Sequence, residues 1–168
     1  MLTLAALALA ATSPQAPPTL VATAPWWERV TRTLTSDGTE QSCRYESSLG
    51  KISSPTCEVA RSDKSGEFDG QFTKLTYERR FVPGGRPDMG KLQPGDTLLG
   101  KQVMMFAISA EGSVEGCKVL VSSGDSLPDY SCNEVRAEKF EASLSSDTEP
   151  ARWAFMTILV YGHQEQVV

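Results

Sequence analysis

GSVEGCKVLVSSGDSLPDYSC, residues 112–132, decides how the C-terminal half of this chain is read, because it carries two of the four cysteines, one near each end. Cys117, Val119 and Val121 recur at the two-residue period of a strand and share one predicted face, whereas Val114 is out of phase by one residue. A bulge at Glu115–Gly116 restores the phase. After the turn at Ser122, Ser123 and Gly124, the segment SLPDYSCNEVRAEKF (126–140) changes to helical spacing. A capping box from Ser126 to Asp129 and Pro128 in the first turn suit a helix start, with Cys132, Val135 and Lys139 on one stripe and Phe140 at its end. If that helix packs over the strand it follows, Cys117 and Cys132 come within disulfide reach. Closing a loop of this length stabilises by about 3 kcal/mol in the chain-entropy model.

On either side, KQVMMFAISAEGS reads as a strand running into a turn at Gly112, and ARWAFMTILVYG (151–162) as a strand apolar on both faces. Upstream, PGGRPDMGKLQPG (83–95) has three prolines and four glycines and fits neither a helix nor a central strand. It serves as a connector. From Trp26 to Phe81 the pattern is that of an antiparallel meander: strands at 29–35 and 41–49 joined by a turn at Asp37–Gly38, a third near Cys57, and a fourth at 72–81. Trp26 and Trp27 point to opposite faces of an extended chain, so at most one is buried by its own strand. The expected fold class is α+β, a small antiparallel sheet with one packed helix (β-β-α-β) preceded by a β meander. The division is 1–24 as signal peptide or disordered N-terminus, 25–82 as a β-rich region, 83–96 as connector, and 97–168 as the ββαβ domain.

The chain has 168 residues, a formal net charge of −5 and no cluster of Lys and Arg, which argues against nucleic acid or an anionic membrane as partner. Its N-terminus, MLTLAALALAATSPQAPP, is too short an apolar run to span a bilayer and fits the core of a secretory signal, with a disordered Ala/Pro tail as the other reading. The even cysteine count suits an exported chain. Sequence permits three connectivities; the local pairs, Cys43 with Cys57 and Cys117 with Cys132, are the expected ones, and free buried thiols stand as the alternative.

No motif points to catalysis. GDTLLGKQ (95–102) has the phosphate-loop spacing, but Gln102 stands where Ser or Thr would hold magnesium, and no strand precedes it. His163 is the only histidine and has no spaced companions that would make a metal or Cys–His site. Glu134, Glu138 and Glu141 read as a solvated helix face. The sequence therefore predicts no catalytic, metal-binding or cofactor-binding residue, and no cofactor.

In the order Gly112, Val114, Val119, Ser122, Ser123, Gly124, Leu127, Asp129 and Phe140, residues from about 99 to 162 resemble the TonB C-terminal domain family, in a cysteine-bearing variant. A Tyr-Pro before the first strand is absent, Glu141 stands where a proline often follows the Phe, and the membrane anchor and long Pro-rich spacer are expected to be missing. The resemblance implies a periplasmic or secreted protein of a Gram-negative envelope that is not an enzyme. It would bind a protein or peptide by adding an extended strand to a sheet edge. The expected edge is the last strand, with Trp153, Phe155, Thr157, Leu159 and Tyr161, covered by a peptide, by a second copy in a homodimer, or by the N-terminal meander. An enzyme with a carboxylate site between the two halves is the alternative.

Overall fold

The computed structural model describes residues 18–49, 70–126, 130–143 and 152–165. The N-terminal signal, the strand near Cys57, nearly all of the loop at 62–70, and Leu127, Pro128 and Asp129 of the expected helix start lie outside the described residues.

Strands β1 (Thr19–Leu20), β2 (Trp26–Leu34), β3 (Glu40–Ser47), β4 (Lys74–Pro83), β5 (Asp96–Ile108) and β6 (Val114–Gly124) are followed by helix α1 (Cys132–Ala137), then β7 (Lys139–Phe140) and β8 (Arg152–His163). Six of the strands form one sheet in the order β3-β2-β4-β8-β5-β6, and β1 pairs with β7 in a short parallel ladder. All five pairings in the large sheet are antiparallel. Strands account for 58% of the described residues and helix for 5%, so the α+β expectation is overturned: this is a β fold without a major packed helix.

The expected helix shrinks to Cys132–Ala137 for a local reason. Glu138 already has extended backbone at φ −69 and ψ 151. The Phe140 amide then donates to the Gly112 carbonyl at 2.9 Å, and the Glu141 amide to that of Leu20 at 2.9 Å. Phe140 is thus drawn into a ladder and into the core, where it is 1% exposed. The capping box of α1 is formed by Ser131 and Glu134, and the expected one from Ser126 to Asp129 falls partly outside the described residues.

Register shows which side chains share a face. Trp26 pairs with Phe81, Phe81 with Met156, and Met156 with Met104, so these four point the same way. They form the core with Phe106, Ile158 and Ala154, roofed by Leu20, Tyr130, Val135 and Phe140. Phe81 lies 5.4 Å from Trp26 and 5.3 Å from Phe140 between ring centroids. Offset and tilted aromatic contacts of this kind add to the burial itself. Trp26 is the buried member of the tryptophan pair; Trp27, half-buried on the opposite face, takes the Arg29 guanidinium over its ring at 4.9 Å.

The Pro/Gly connector crosses that opposite face. Gly90 sits so close that a Cβ there would meet Leu159 Cδ1 at 2.7 Å, and Asp88 accepts from Arg80 Nε at 2.8 Å. With the core below and the connector above, β8 is covered on both faces, which explains its double apolar pattern.

Candidate functional site

Each residue of the expected edge strand lies on β8, which is hydrogen-bonded to β4 on one side and β5 on the other. That expectation is corrected: Phe155, Thr157, Leu159 and Tyr161 are paired on both sides, and Trp153, beyond the end of the β4 ladder, is still paired with Ala107 of β5, so β8 is not an edge strand. Trp153 is 57% exposed at the start of the strand. Phe155 is half-buried, Thr157 is fully buried, Leu159 lies under Gly90, and Tyr161 donates to Glu78 Oε2 at 2.9 Å.

The outer strands among the described residues are β3 and β6. β3 is rich in charge and carries Cys43, which is disulfide-bonded, while its expected partner Cys57 lies outside the described residues. β6 is different. Its side chains are exposed almost throughout, and Val119, Leu120 and Val121 are 39%, 44% and 40% exposed.

Two bulges shape β6. The ladder to β5 passes from Phe106↔Cys117 to Ala107↔Glu115, skipping Gly116, whose φ is +59. That is the bulge the phase of Val114 demands. The second skip falls at Leu120, between Val103↔Val121 and Met104↔Val119. Because Val103 and Met104 point to opposite faces, Val119 and Val121 do too, contrary to the single face read from their spacing. A bulge adds twist and frees one residue from the ladder. Here it leaves three consecutive apolar side chains exposed along an edge that is unpaired among the described residues.

Helix α1 stands beside the first half of this strand. The Cys117–Cys132 disulfide anchors it, with Cα atoms 5.5 Å apart. Arg136 donates to the Cys117 carbonyl at 3.4 Å and to Asn133 Oδ1 at 3.3 Å. The edge is therefore screened by α1 at Cys117 and bare of any described strand from Lys118 to Gly124.

The buried charges form separate, internally matched groups. Arg79 on the core face donates through Nε to Glu28 at 2.5 Å and through Nη1 to Glu138 at 2.6 Å and to the Tyr130 hydroxyl at 2.8 Å. Burial works against its charge, but Tyr130, Glu28, Tyr77 and Glu138 outweigh that and raise its pKa well above the ordinary arginine value. Burial, then Glu28, pushes Tyr45 up to about 12, its hydroxyl donating to Glu28 at 2.7 Å. On the opposite face Glu78 accepts from Arg29, Arg80 and Tyr161. His163 Nδ1 lies 2.8 Å from Asp96 Oδ1 at the end of the sheet. GDTLLGKQ is the start of β5 rather than a phosphate loop.

Sequence reasoning missed Val119, Leu120, Val121 and Arg136 as surface features. The signal was the unbroken apolar run after Lys118, which strict alternation does not produce and a bulge does. No protein-family model, curated protein or solved structure matches this chain.

Proposed function

We propose that this chain is a protein-interaction module that accepts an extended peptide as a further strand along β6. The observation that carries this reading is the exposure of Val119, Leu120 and Val121 on an outer strand of 11 residues whose edge is unpaired among the described residues. Long apolar edges of this kind pair with another chain unless they are blunted. In strand addition, backbone hydrogen bonds provide affinity and the alternating side chains provide selectivity. The sequence resemblance to TonB C-terminal domains supports the same mode of binding, moved from the last strand to β6.

An exported, periplasmic setting is part of the proposal. The oxidised Cys117–Cys132 pair is compatible with an oxidising compartment, and no helix among the described residues is long and apolar enough to cross a membrane. The carboxylate alternative has less support, since Glu28, Glu78 and Glu138 each accept from arginine and tyrosine donors within the fold.

Titrating isotope-labelled protein with the synthetic heptapeptide TVTVTVT should slow amide exchange and shift resonances in residues 118–124 and α1. Val121→Lys should weaken this while shifting stability by no more than about 0.5 kcal/mol, as for an ordinary surface change. Perturbation confined to β3 or to the Arg79 cluster would defeat the proposal.

A further inference from the structure

Taking β6 as a strand-accepting edge, its surroundings also specify the ligand. The sheet is antiparallel throughout its large ladder. A strand added antiparallel to residues 118–124 runs from Gly124 toward Lys118 and ends, at its C-terminal side, against Cys117 and α1.

One cation stands on the α1 side of that end, and a second leaves the strand on the opposite face. Arg136 reaches over the edge from α1 and holds the Cys117 carbonyl only at 3.4 Å. Lys118 is exposed on β6 itself, paired in the ladder with Met105. Neither forms an ion pair among the described residues. The nearby acids are largely engaged elsewhere. Glu134 accepts from the Ser131 amide at 2.6 Å and from its hydroxyl at 2.5 Å, and Glu138 accepts from Arg79 at 2.6 Å. Glu115 is exposed beyond the Gly116 bulge, on the same face of the sheet as Lys118.

We infer that the added strand carries a carboxylate at its α1 end, held by Arg136, and β-branched apolar residues along Val119–Val121. Arginine suits this role because its planar fork binds carboxylates bidentately, and the long bond to Cys117 is readily exchanged for a charge-assisted one. The carboxylate is the C-terminal group of the partner chain, because a strand added antiparallel to β6 presents that end to α1.

Three heptapeptides separate the outcomes when titrated against the full oxidised chain at low salt: TVTVTVE with an amidated C-terminus, TVTVTVT with a free C-terminus, and TVTVTVT amidated. The peptide with the free C-terminus should bind about tenfold more tightly than the neutral one, and tighter binding by amidated TVTVTVE alone overturns the C-terminal assignment. Arg136→Gln should erase that difference and leave the neutral peptide unaffected. Equal binding by all three, unchanged in Arg136→Gln, overturns the carboxylate inference and leaves strand addition standing. No binding by any of them overturns both. Concentration-dependent dimers in sedimentation, abolished by Val121→Lys, would put a second copy on the edge and also overturn the inference.

Discussion

Cys132 on α1 is joined to Cys117 on β6 by a disulfide that closes a 15-residue separation, so the six-residue helix is covalently fixed to an outer strand of the sheet. A helix of 6 residues is too short to persist by its own hydrogen bonds. Its attachment comes from this bridge, from buried Val135, and from the contacts of Tyr130 and Glu138 with Arg79.

Removing the bridge alone is therefore expected to cost about 3 kcal/mol, since the chain-entropy penalty it imposes on the unfolded state disappears. The double variant Cys117→Ser/Cys132→Ser leaves Cys43 oxidised and isolates the effect. Urea unfolding followed by tryptophan fluorescence measures it, and an unchanged midpoint would show that the bridge adds no stability.

Arg79 is the hub of the core-face polar cluster, and its loss leaves Glu28 and Glu138 without their shared cation. Breaking a buried ion pair from one side costs about 3–5 kcal/mol. Arg79→Met should reach that range in denaturant unfolding, whereas Arg79→Lys, which keeps the charge but loses the fork, should fall between it and the parent chain.

Gly112 and Gly116 separate strain from crowding. Both have positive φ, +83 and +59, but a Cβ at Gly112 would collide with the Phe140 carbonyl, while Gly116 has nothing within 4 Å. Gly116→Ala should lose about 1 kcal/mol from backbone strain alone. Gly112→Ala should lose clearly more, read as the larger drop in thermal midpoint, because β7 must move aside.

The β2–β3 turn makes a pH prediction. The hydroxyl of Thr35, followed by the amide of Thr39, holds the exposed Asp37 carboxylate down to a pKa of about 2. The folded value lies below the unfolded one, so the contribution of Asp37 to stability is complete above the ordinary aspartate pKa near 3.9 and is lost as pH falls through about 2. Carbon-detected titration of the Asp37 carboxyl should show that midpoint, and Thr35→Ala should raise it toward the ordinary value.

Most strands were legible because their signals are local. Alternation marks β2, where Trp26, Glu28, Val30, Arg32 and Leu34 are the buried residues, and Asp37–Gly38 and Gly112 mark the turns the chain makes. The helix was misjudged because Lys139 and Phe140 keep helical spacing while their backbone pairs with β1, a competitor 120 residues upstream. Glu28 and Arg79 carry no local signal of burial. Their burial rests on a contact between residues 51 positions apart that no window of sequence contains. The candidate edge was misplaced for the same reason, since an apolar strand such as β8 is equally consistent with an uncovered edge and with a covered center.

By itself, then, the amino-acid order determined where the chain extends, where it turns and which two thiols near one another in sequence could meet, because propensity, glycine geometry and short loop closure act over a few residues. Only the tertiary structure decided that β8 lies between β4 and β5, that β6 is left outermost, and that Leu120 bulges to turn its neighbours apart. Strand order depends on which long-range ladders bury the most apolar surface together, and that is a property of the assembled sheet rather than of any one segment.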